Sequence, residues 1–312
     1  MDWKKLPNDI LIQRLERPNG KIRLIIDTDA ANEIDDQYAI SYALKRTDRI
    51  DIEAIYAAPF YNSLSDGPLD GMEKSYDEIK RLVKILKRDD LNGKIYKGST
   101  AYLLDEETPQ PSDACNDLVK RAMSMPEGEL LYVAAIGAIT NIASALLTEP
   151  AIADKIVLVW LGGHAHYWTH TREFNMIQDV AAARVIFDSG VPVVQIPCKG
   201  VTSHLLTTDS ELRAYMKDKS EIGSYLYNIT REHLGWTENE FCKSKVIWDI
   251  STIMWLVGSN AATASHLTHS PIVSYDGNYS FDEHRHLIRV VDQINRDTIF
   301  SELFECFDEN IY

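Results

Sequence analysis

Apolar runs and amphipathic stretches alternate along almost the whole chain. The runs are short, rich in Ile, Val and Leu, and flanked by turn residues, which is typical of strands buried on both faces of a parallel sheet. Strands are predicted at 22–26, 52–58, 95–96, 130–136, 155–161, 191–196, 272–275 and 286–291. Helices are predicted at 37–44, 70–87, 179–187, 209–217, 222–234, 247–257 and 295–307, with one more after a cap at Thr140 or Asn141. This alternation predicts an α/β fold with an open, mostly parallel sheet flanked by helices on both faces.

The same pattern predicts one domain over residues 1–312, because no low-complexity linker or internal repeat interrupts it. The segment from about 203 to 240 is rich in predicted helix. We expect it to form a helical cap over the functional site.

Charge and composition narrow the classes of partner. The chain has 312 residues, of which 45% are hydrophobic, and a net charge of -15. Such an acidic protein is a poor partner for nucleic acid or an anionic membrane, and it suits a neutral or cationic small ligand or a metal. The four cysteines are scattered without a C-x-x-C pair, which argues against a zinc ribbon or a disulfide framework. The sequence shows neither a signal-peptide pattern nor an apolar run of about 18 residues, so we expect a cytoplasmic protein without a membrane span.

An acidic turn, DTDAANEIDD at residues 27–36, separates the first predicted strand from the first predicted helix. Its aspartates therefore lie at the carboxyl end of a strand, where an open α/β sheet places its ligand site. Carboxylates this close raise each other's pKa unless a cation neutralises them. Hard oxygen ligands suit calcium or magnesium better than zinc or copper. The alternative is a solvated acidic loop, although such a loop does not need a buried strand on one side and a helix on the other.

Three histidines, His164, His166 and His170, raise a second possibility for a metal. No cysteine or carboxylate stands beside them at the spacing of a zinc site. The loop follows a glycine pair near the expected pocket. A substrate-side role or a plain loop is therefore favoured over zinc.

Four later segments, read with the acidic turn, carry a resemblance to a known family. They are IGAITNIA at 136–143, LGG at 161–163, EFNMIQD at 173–179 and WD at 248–249. In this order they resemble the inosine–uridine-preferring nucleoside hydrolases, over about residues 21–309. The resemblance implies an enzyme that cleaves the N-glycosidic bond of ribonucleosides with water and uses one calcium ion. It also implies a nucleoside as substrate, a role in purine salvage, and a homodimer or homotetramer.

The resemblance assigns the metal site residue by residue. Asp29 would be a metal ligand and the general base, and Asp36 would be the bidentate ligand. Asp249 would bind the metal from the far side, and the backbone carbonyl of Ile136 would complete the protein's share. The chemistry is consistent, because calcium can hold two vicinal hydroxyls and lower the pKa of a water whose proton a carboxylate then takes.

The resemblance also assigns the sugar contacts. Asp35 would accept a hydrogen bond from a ribose hydroxyl, while Glu173 and Asn175 would hold others. Taken alone, Glu173 and Asn175 are typical of a polar surface, and an aspartate such as Asp249 is typical of a helix N-cap. Asp27 is expected to be structural.

The chain departs from the family pattern in three places. Its acidic turn is two residues longer, which places Asn32 or Glu33 within reach of the metal shell. Asn62 takes the place of an asparagine that usually ends the second strand. Trp248 stands where base-specific members carry a histidine, and an indole N–H is no general acid at neutral pH. A tryptophan face can stack on a purine, so the chain resembles the purine-preferring branch.

Two other functions remain open from the sequence. Asp27 and Asp29 after a strand also resemble the D-x-D motif of haloacid-dehalogenase-type phosphatases, which use magnesium and an aspartyl-phosphate. The required acidic pair at a later strand end is not found. A metal-bearing protein that binds a ribosyl compound without cleaving it is the third hypothesis.

Overall fold

The computed structural model describes residues 3, 5–237 and 243–309. The strands are β1 (Ile22–Thr28), β2 (Ile50–Ala57), β3 (Ile95–Lys97), β4 (Leu131–Ala135), β5 (Ile156–Leu161), β6 (Val193–Ile196), β7 (Leu206–Thr208), β8 (Ser244–Val246), β9 (Thr263–His269), β10 (Ile272–Val273), β11 (Tyr279–Ser280) and β12 (Leu287–Ile294). The α-helices are α1 (Asn8–Arg14), α2 (Asp36–Lys45), α3 (Pro68–Ile85), α4 (Asp113–Met123), α5 (Thr140–Thr148), α6 (Phe174–Gln178), α7 (Val180–Ser189), α8 (Asp209–Tyr215), α9 (Glu221–Leu234), α10 (Ile250–Val257) and α11 (Arg296–Phe307).

One eight-stranded sheet organises the described residues, in the order β3-β2-β1-β4-β5-β6-β12-β9. All neighbours pair in parallel except β9, which runs antiparallel to β12 at the edge. The strand order reverses between β1 and β4. A sheet of this kind opens a crevice at the carboxyl ends of its strands at such a reversal, and ligands bind there. The predicted fold class is confirmed.

Both faces of the sheet are buried, which explains the continuous apolar runs. In β1, Leu24 and Ile26 belong to the core on one face of the sheet, whereas Ile25 belongs to the core on the other face. Because successive strand side chains point to opposite faces, a strand covered on both sides has no polar alternation to show.

The structure corrects the sequence-based boundaries in the last third of the chain. The strand predicted at 272–275 is the two-residue β10, which pairs with β11 outside the main sheet. The antiparallel edge strand β9 was not predicted, because Thr263, Ser265, His266 and the residues around them are polar and half-exposed. In the first half of the chain, helices α1 and α4 were not predicted.

Helix α10 begins later than predicted, and this matters for the site. The pattern predicted a helix over 247–257, but the helix starts at Ile250 and ends before Gly258. Trp248 and Asp249 therefore lie in the turn that leads into the helix. Asp249 occupies the N-cap position, yet its side chain makes no capping hydrogen bond.

Of the helices in residues 3, 5–237 and 243–309, not one combines the length and the apolar character that crossing a bilayer requires.

The carboxyl end of α10 is held by Arg17, which comes from the segment after α1. Its guanidinium donates to the carbonyls of Met254 at 2.7 Å, Trp255 at 2.8 Å, Gly258 at 3.0 Å and Ser259 at 3.0 Å. The Trp255 carbonyl belongs to the last turn of the helix, where carbonyls lack intrahelical partners, while that of Met254 also accepts the backbone N–H of Gly258 at 3.0 Å. A cation at this end also complements the helix dipole. Arg17 thus anchors the helix whose other end carries Asp249.

We predict that Arg17→Met lowers the free energy of unfolding by about 2 kcal/mol, because charged hydrogen bonds to buried carbonyls are lost. Urea denaturation measures this. The matched control is Arg14→Met, since among the described residues Arg14 donates one hydrogen bond to a backbone carbonyl, that of Asp154 at 2.9 Å. Equal losses for the two variants would contradict the anchoring role of Arg17.

Candidate active site

A cavity opens at the carboxyl ends of β1, β4, β5 and β6, around the reversal of strand order. The turn after β1 contributes Asp29, Asn32, Glu33, Asp35 and Asp36 to its wall. The other lining residues come from the later strand ends, from α6 and from the turn before α10: Ile136, Leu161, His164, Arg172, Glu173, Phe174, Asn175, Cys198, Lys199, Trp248 and Asp249. The cavity thus brings together residues that are more than 200 positions apart.

Three carboxylates converge in this cavity. Oxygens of Asp35, Asp36 and Asp249 lie within 4.8 Å of one another, and all three side chains are buried. Asp35 and Asp36 stand at the amino end of α2, and Asp249 stands at the amino end of α10. The partial positive charge at a helix N-terminus favours carboxylates there.

Asp29 lies in the same cavity and is 1% exposed. Neither of its carboxylate oxygens has a hydrogen-bond partner in the described chain. Gly137 leaves room for it, since a Cβ at that position would lie 3.1 Å from the Asp29 carboxyl carbon. Burial, followed by the charges of Asp36 and Asp35, raises the pKa of Asp29 well above its usual value.

The neighbouring carboxyls are perturbed in the same direction. Burial and the charge of Asp35 raise the pKa of Asp36 to about 8. Burial and the charges of Asp35 and Asp36 raise the pKa of Asp249 well above its usual range. Such a cluster becomes fully charged at neutral pH only if a cation joins it.

The donor set fits a hard divalent cation. It consists of carboxylates, and both oxygens of Asp29 are buried without a partner. A buried carboxylate without a partner is costly, and binding a metal is one of the ways in which proteins satisfy it. Oxygen donors alone suit calcium or magnesium. The predicted ligands Asp29, Asp36, Ile136 and Asp249 all line the cavity.

Unlike Asp29, Asp35 has partners within the protein. It accepts a hydrogen bond from the backbone N–H of Trp248 at 3.0 Å and lies 3.8 Å from the ammonium of Lys245. Its position inside the carboxylate group leaves its oxygens close to those of Asp36 and Asp249. Its role as a ribose contact, and that of Asp29 as metal ligand and base, stay predictions.

The two extra residues of the acidic turn are bound by other parts of the chain. Glu33 forms an ion pair with Lys245 of β8, and Asn32 accepts a hydrogen bond from Asn62 at 2.6 Å. Lys245 therefore joins the lengthened turn to the segment that leads into Trp248. No motif pointed to Lys245, because only the folded chain brings β8 to the turn.

Glu173 and Asn175 line the cavity and are buried, not exposed as isolated polar residues would be. The Glu173 carboxylate accepts backbone N–H bonds from Gly163 at 2.9 Å and from Asn175 and Met176, each at 3.0 Å. Asn175 donates to the carbonyl of Leu161 at 3.0 Å. Burial raises the pKa of Glu173 although these backbone bonds oppose the shift. Both side chains are thus held firmly at the cavity wall, and their contacts with ribose hydroxyls stay predictions.

Two residues of the sequence analysis lie behind the cavity wall. Asn62 does not line the cavity and acts on it through Asn32. Asp27 is fully buried and does not line the cavity; one of its carboxylate oxygens accepts a hydrogen bond from Asn141 at 2.7 Å, and the other has no partner among the described residues. The direct sugar contact predicted for Asn62 is not among the contacts of this structure and stays a prediction.

The expected cap contains α8 and α9, while residues 238–240 of that segment lie outside the described residues. Helix α9 packs beside α2, where the hydroxyls of Tyr38 and Thr230 lie 2.8 Å apart. None of the described residues of the segment lines the cavity. Its function as a cap stays a prediction.

Two aromatic side chains form one part of the cavity wall. Trp248 lines the cavity as predicted, and Phe174 joins it. Phe174 lies between Glu173 and Asn175 in the sequence, so the motif that predicted those two residues could also have indicated Phe174.

Comparisons with known proteins point to one family. The family model described as inosine-uridine preferring nucleoside hydrolase matches residues 24–301. The pyrimidine-specific ribonucleoside hydrolase RihB of Escherichia coli is 41% identical over 73 residues, which cover 22% of this chain and 23% of that enzyme. A relative from Shigella boydii is 42% identical over a segment of 73 residues that spans 30% of its length.

Solved structures share the fold. The purine-preferring ribonucleoside hydrolase from Gardnerella vaginalis superimposes with a TM-score of 0.73 at 20% identity, covering 91% of this chain and 98% of that one. A plant nucleoside hydrolase gives a TM-score of 0.72 at 20% identity, covering 94% of this chain and 100% of that one. An inosine-uridine preferring nucleoside hydrolase from Bacillus anthracis gives 0.67 at 16% identity, covering 91% and 98%. The match of the family model across almost the whole chain decides the assignment, and the chain belongs to the inosine-uridine preferring nucleoside hydrolase family.

Proposed function

We propose that the protein is a calcium-dependent nucleoside N-ribohydrolase that cleaves ribonucleosides, purine ones above all, to ribose and free base. The observation that carries the proposal is the buried, unpartnered carboxylate of Asp29 beside the group formed by Asp35, Asp36 and Asp249. Asp29, Asp36, Asp249 and the carbonyl of Ile136 would hold the ion. Calcium, when bound, supplies the positive charge that orients vicinal ribose hydroxyls and lowers the pKa of a water.

The chain's own residues supply the remaining steps. Asp29 removes a proton from the attacking water, because its carboxylate lies in the cavity without another partner and a bound cation would keep it ionised. The water oxygen bonds to C1′, and the C1′–N bond breaks with its electron pair leaving on the base. Glu173 and Asn175 hold sugar hydroxyls and keep the ring oriented while charge develops on it.

The base lies against the aromatic wall. Trp248 and Phe174 offer faces on which a heterocycle can stack. Stacking favours the larger purine ring, which supports purine preference. Among the relatives, one is named pyrimidine-specific and another purine-preferring, so their names support both classes of base.

The two alternative functions have less support. Asp27, which a phosphatase of the haloacid-dehalogenase type would use as nucleophile, is buried against Asn141 and does not line the cavity. A protein that binds a nucleoside without cleaving it is not favoured, because the unpartnered carboxylate of Asp29 is available to act as a general base. The homodimer or homotetramer, the cytoplasmic location and the part in purine salvage stay predictions.

The proposal is tested by incubating the protein and calcium with inosine, guanosine, adenosine, uridine and cytidine, and assaying reducing sugar. We expect ribose release. We also predict that Asp29→Asn lowers kcat by at least about a hundredfold while the Tm stays near that of the wild type, because a general base is lost. Asp77→Asn, on the exposed side of α3, is the control and should keep the wild-type rate.

The absence of ribose from all five nucleosides would contradict the proposed function. A near-normal kcat for Asp29→Asn would remove Asp29 from catalysis while leaving the function in place.

Trp248→Ala should lower the ratio of kcat/KM for inosine to kcat/KM for uridine by about tenfold. The larger hypoxanthine ring loses more stacking energy than the smaller uracil ring when the indole is removed. Steady-state kinetics with both nucleosides measure the ratio. Trp168→Ala is the matched control, since Trp168 is 40% exposed and does not line the cavity. An unchanged ratio in Trp248→Ala would argue against stacking on this side chain.

Removal of divalent cations should make the protein sensitive to pH. Carboxyls of Asp29, Asp36 and Asp249 have raised pKa values in the folded state, so the folded protein holds protons that the unfolded chain releases near pH 4. The stability of the folded protein is therefore highest at low pH and falls as the pH rises toward the pKa of Asp36, about 8. In a chelator we expect the Tm to fall between pH 5 and pH 8, and calcium should restore about 5 °C or more at pH 8.

Thermal scans with chelator, calcium and magnesium measure this effect. Asp249→Asn should reduce the gain from calcium. Equal Tm values in chelator and in both salts at pH 8 would show that the cluster binds neither ion.

A further inference from the structure

The cavity wall opposite the acidic turn carries positive charge. Lys199 follows β6, and Arg172 precedes α6; both are exposed and both line the cavity. No carboxylate of the described residues lies within ion-pair distance of either side chain. Arg172 is steadied by a 2.8 Å hydrogen bond from its Nε to the carbonyl of Asp276. Two unpaired cations at one cavity wall are unusual in a chain with a net charge of -15.

A buried hydrogen-bond donor stands beside these cations. His164 is 3% exposed, lines the cavity, and accepts the backbone N–H of Lys199 on its Nδ1 at 3.3 Å. A neutral imidazole that accepts on Nδ1 carries its proton on Nε2. Burial and the charge of Lys199 lower the pKa of His164 to about 4, so the ring stays neutral at physiological pH. The Nε2 has no partner among the described residues, and an unpaired buried donor is costly.

The order of the strands places this wall on one side of a bound sugar. Trp248 belongs to the acidic end of the cavity, because its backbone N–H binds Asp35. The loop of His164 follows β5, two strands away from β1, a separation of about 10 Å at the usual strand spacing. With the ribose diol at the carboxylates and the base at Trp248, the C5′ substituent is the part of the nucleoside that faces His164, Arg172 and Lys199.

We propose that His164, Arg172 and Lys199 form a subsite for a phosphate ester on the 5′ carbon, so that the preferred substrate is a nucleoside 5′-monophosphate. Two cations and an N–H donor match the charge and the acceptor oxygens of a phosphate monoester. The inference rests on the proposed function and specifies its substrate. In the reaction, the water oxygen bonds to C1′ and the C1′–N bond breaks. The base receives the electron pair and a proton, and the products are ribose 5-phosphate and free base.

The test compares the intact protein, with calcium, on inosine and on inosine 5′-monophosphate, following release of hypoxanthine. We expect kcat/KM for the nucleotide to exceed that for the nucleoside by at least about tenfold, the gain from charge-assisted hydrogen bonds. In Lys199→Met and Arg172→Met the ratio of the two kcat/KM values should fall by about tenfold, mostly through KM of the nucleotide. His164→Gln, which keeps a side-chain N–H donor, should retain more of the ratio than His164→Phe.

Lys120→Met on α4 is the matched control, since Lys120 is exposed and lies outside the cavity; its ratio should equal that of the wild type. In a second experiment, inhibition of inosine cleavage by inorganic phosphate is measured, which distinguishes a site for a phosphate ester from a site for the free anion.

Cleavage of inosine at a rate equal to or above that of the nucleotide would overturn the subsite and leave the proposed function intact. Cleavage of neither compound, nor of any other nucleoside, would overturn both. If phosphate inhibits inosine cleavage but the nucleotide gains no advantage, the wall binds free anions and the ester assignment is wrong.

Discussion

Mutual repulsion among buried carboxylates is the constraint on which the site depends. Asp29, Asp35, Asp36 and Asp249 are each at most 4% exposed, and oxygens of the last three lie within 4.8 Å of one another. At such distances two unit charges repel by several kcal/mol even at an effective dielectric constant of about 20. The protein resolves the repulsion by raising the pKa values of these carboxyls or by binding a cation, and the second solution also supplies the chemistry of the family.

The rest of the fold keeps the carboxylates in place despite that repulsion. The N-termini of α2 and α10 face the cluster, Arg17 anchors the far end of α10, and Lys245 neutralises part of the charge at Glu33 and Asp35. The reversal of strand order between β1 and β4 opens the crevice in which they meet. A stable scaffold therefore holds an electrostatically unfavourable centre, and this centre is the site that we propose to be functional.

The sequence predicted the parallel sheet well because strands buried on both faces leave continuous apolar runs, as in β1 and β5. The edge strand β9 was not predicted because it is half-exposed and polar. Helix α1 is short and buries only Leu11, and α4 buries mostly small side chains, so neither shows a strong helical period of large apolar residues. The site residues were found through motifs, and the cavity contains most of them. The partners of these residues could not be predicted from motifs. Lys245 pairs with Glu33 across 212 positions, and the hydrogen bond from the backbone N–H of Lys199 to His164 forms only in the folded chain.

A crystal grown in calcium and measured for anomalous scattering tests the central claim most directly. The account predicts one ion between carboxylate oxygens of Asp36 and Asp249, with metal–oxygen distances of about 2.4 Å and with Asp29 among its ligands. A calcium-soaked crystal in which these carboxylates bind no shared ion, and remain bonded to one another through protons, would contradict it.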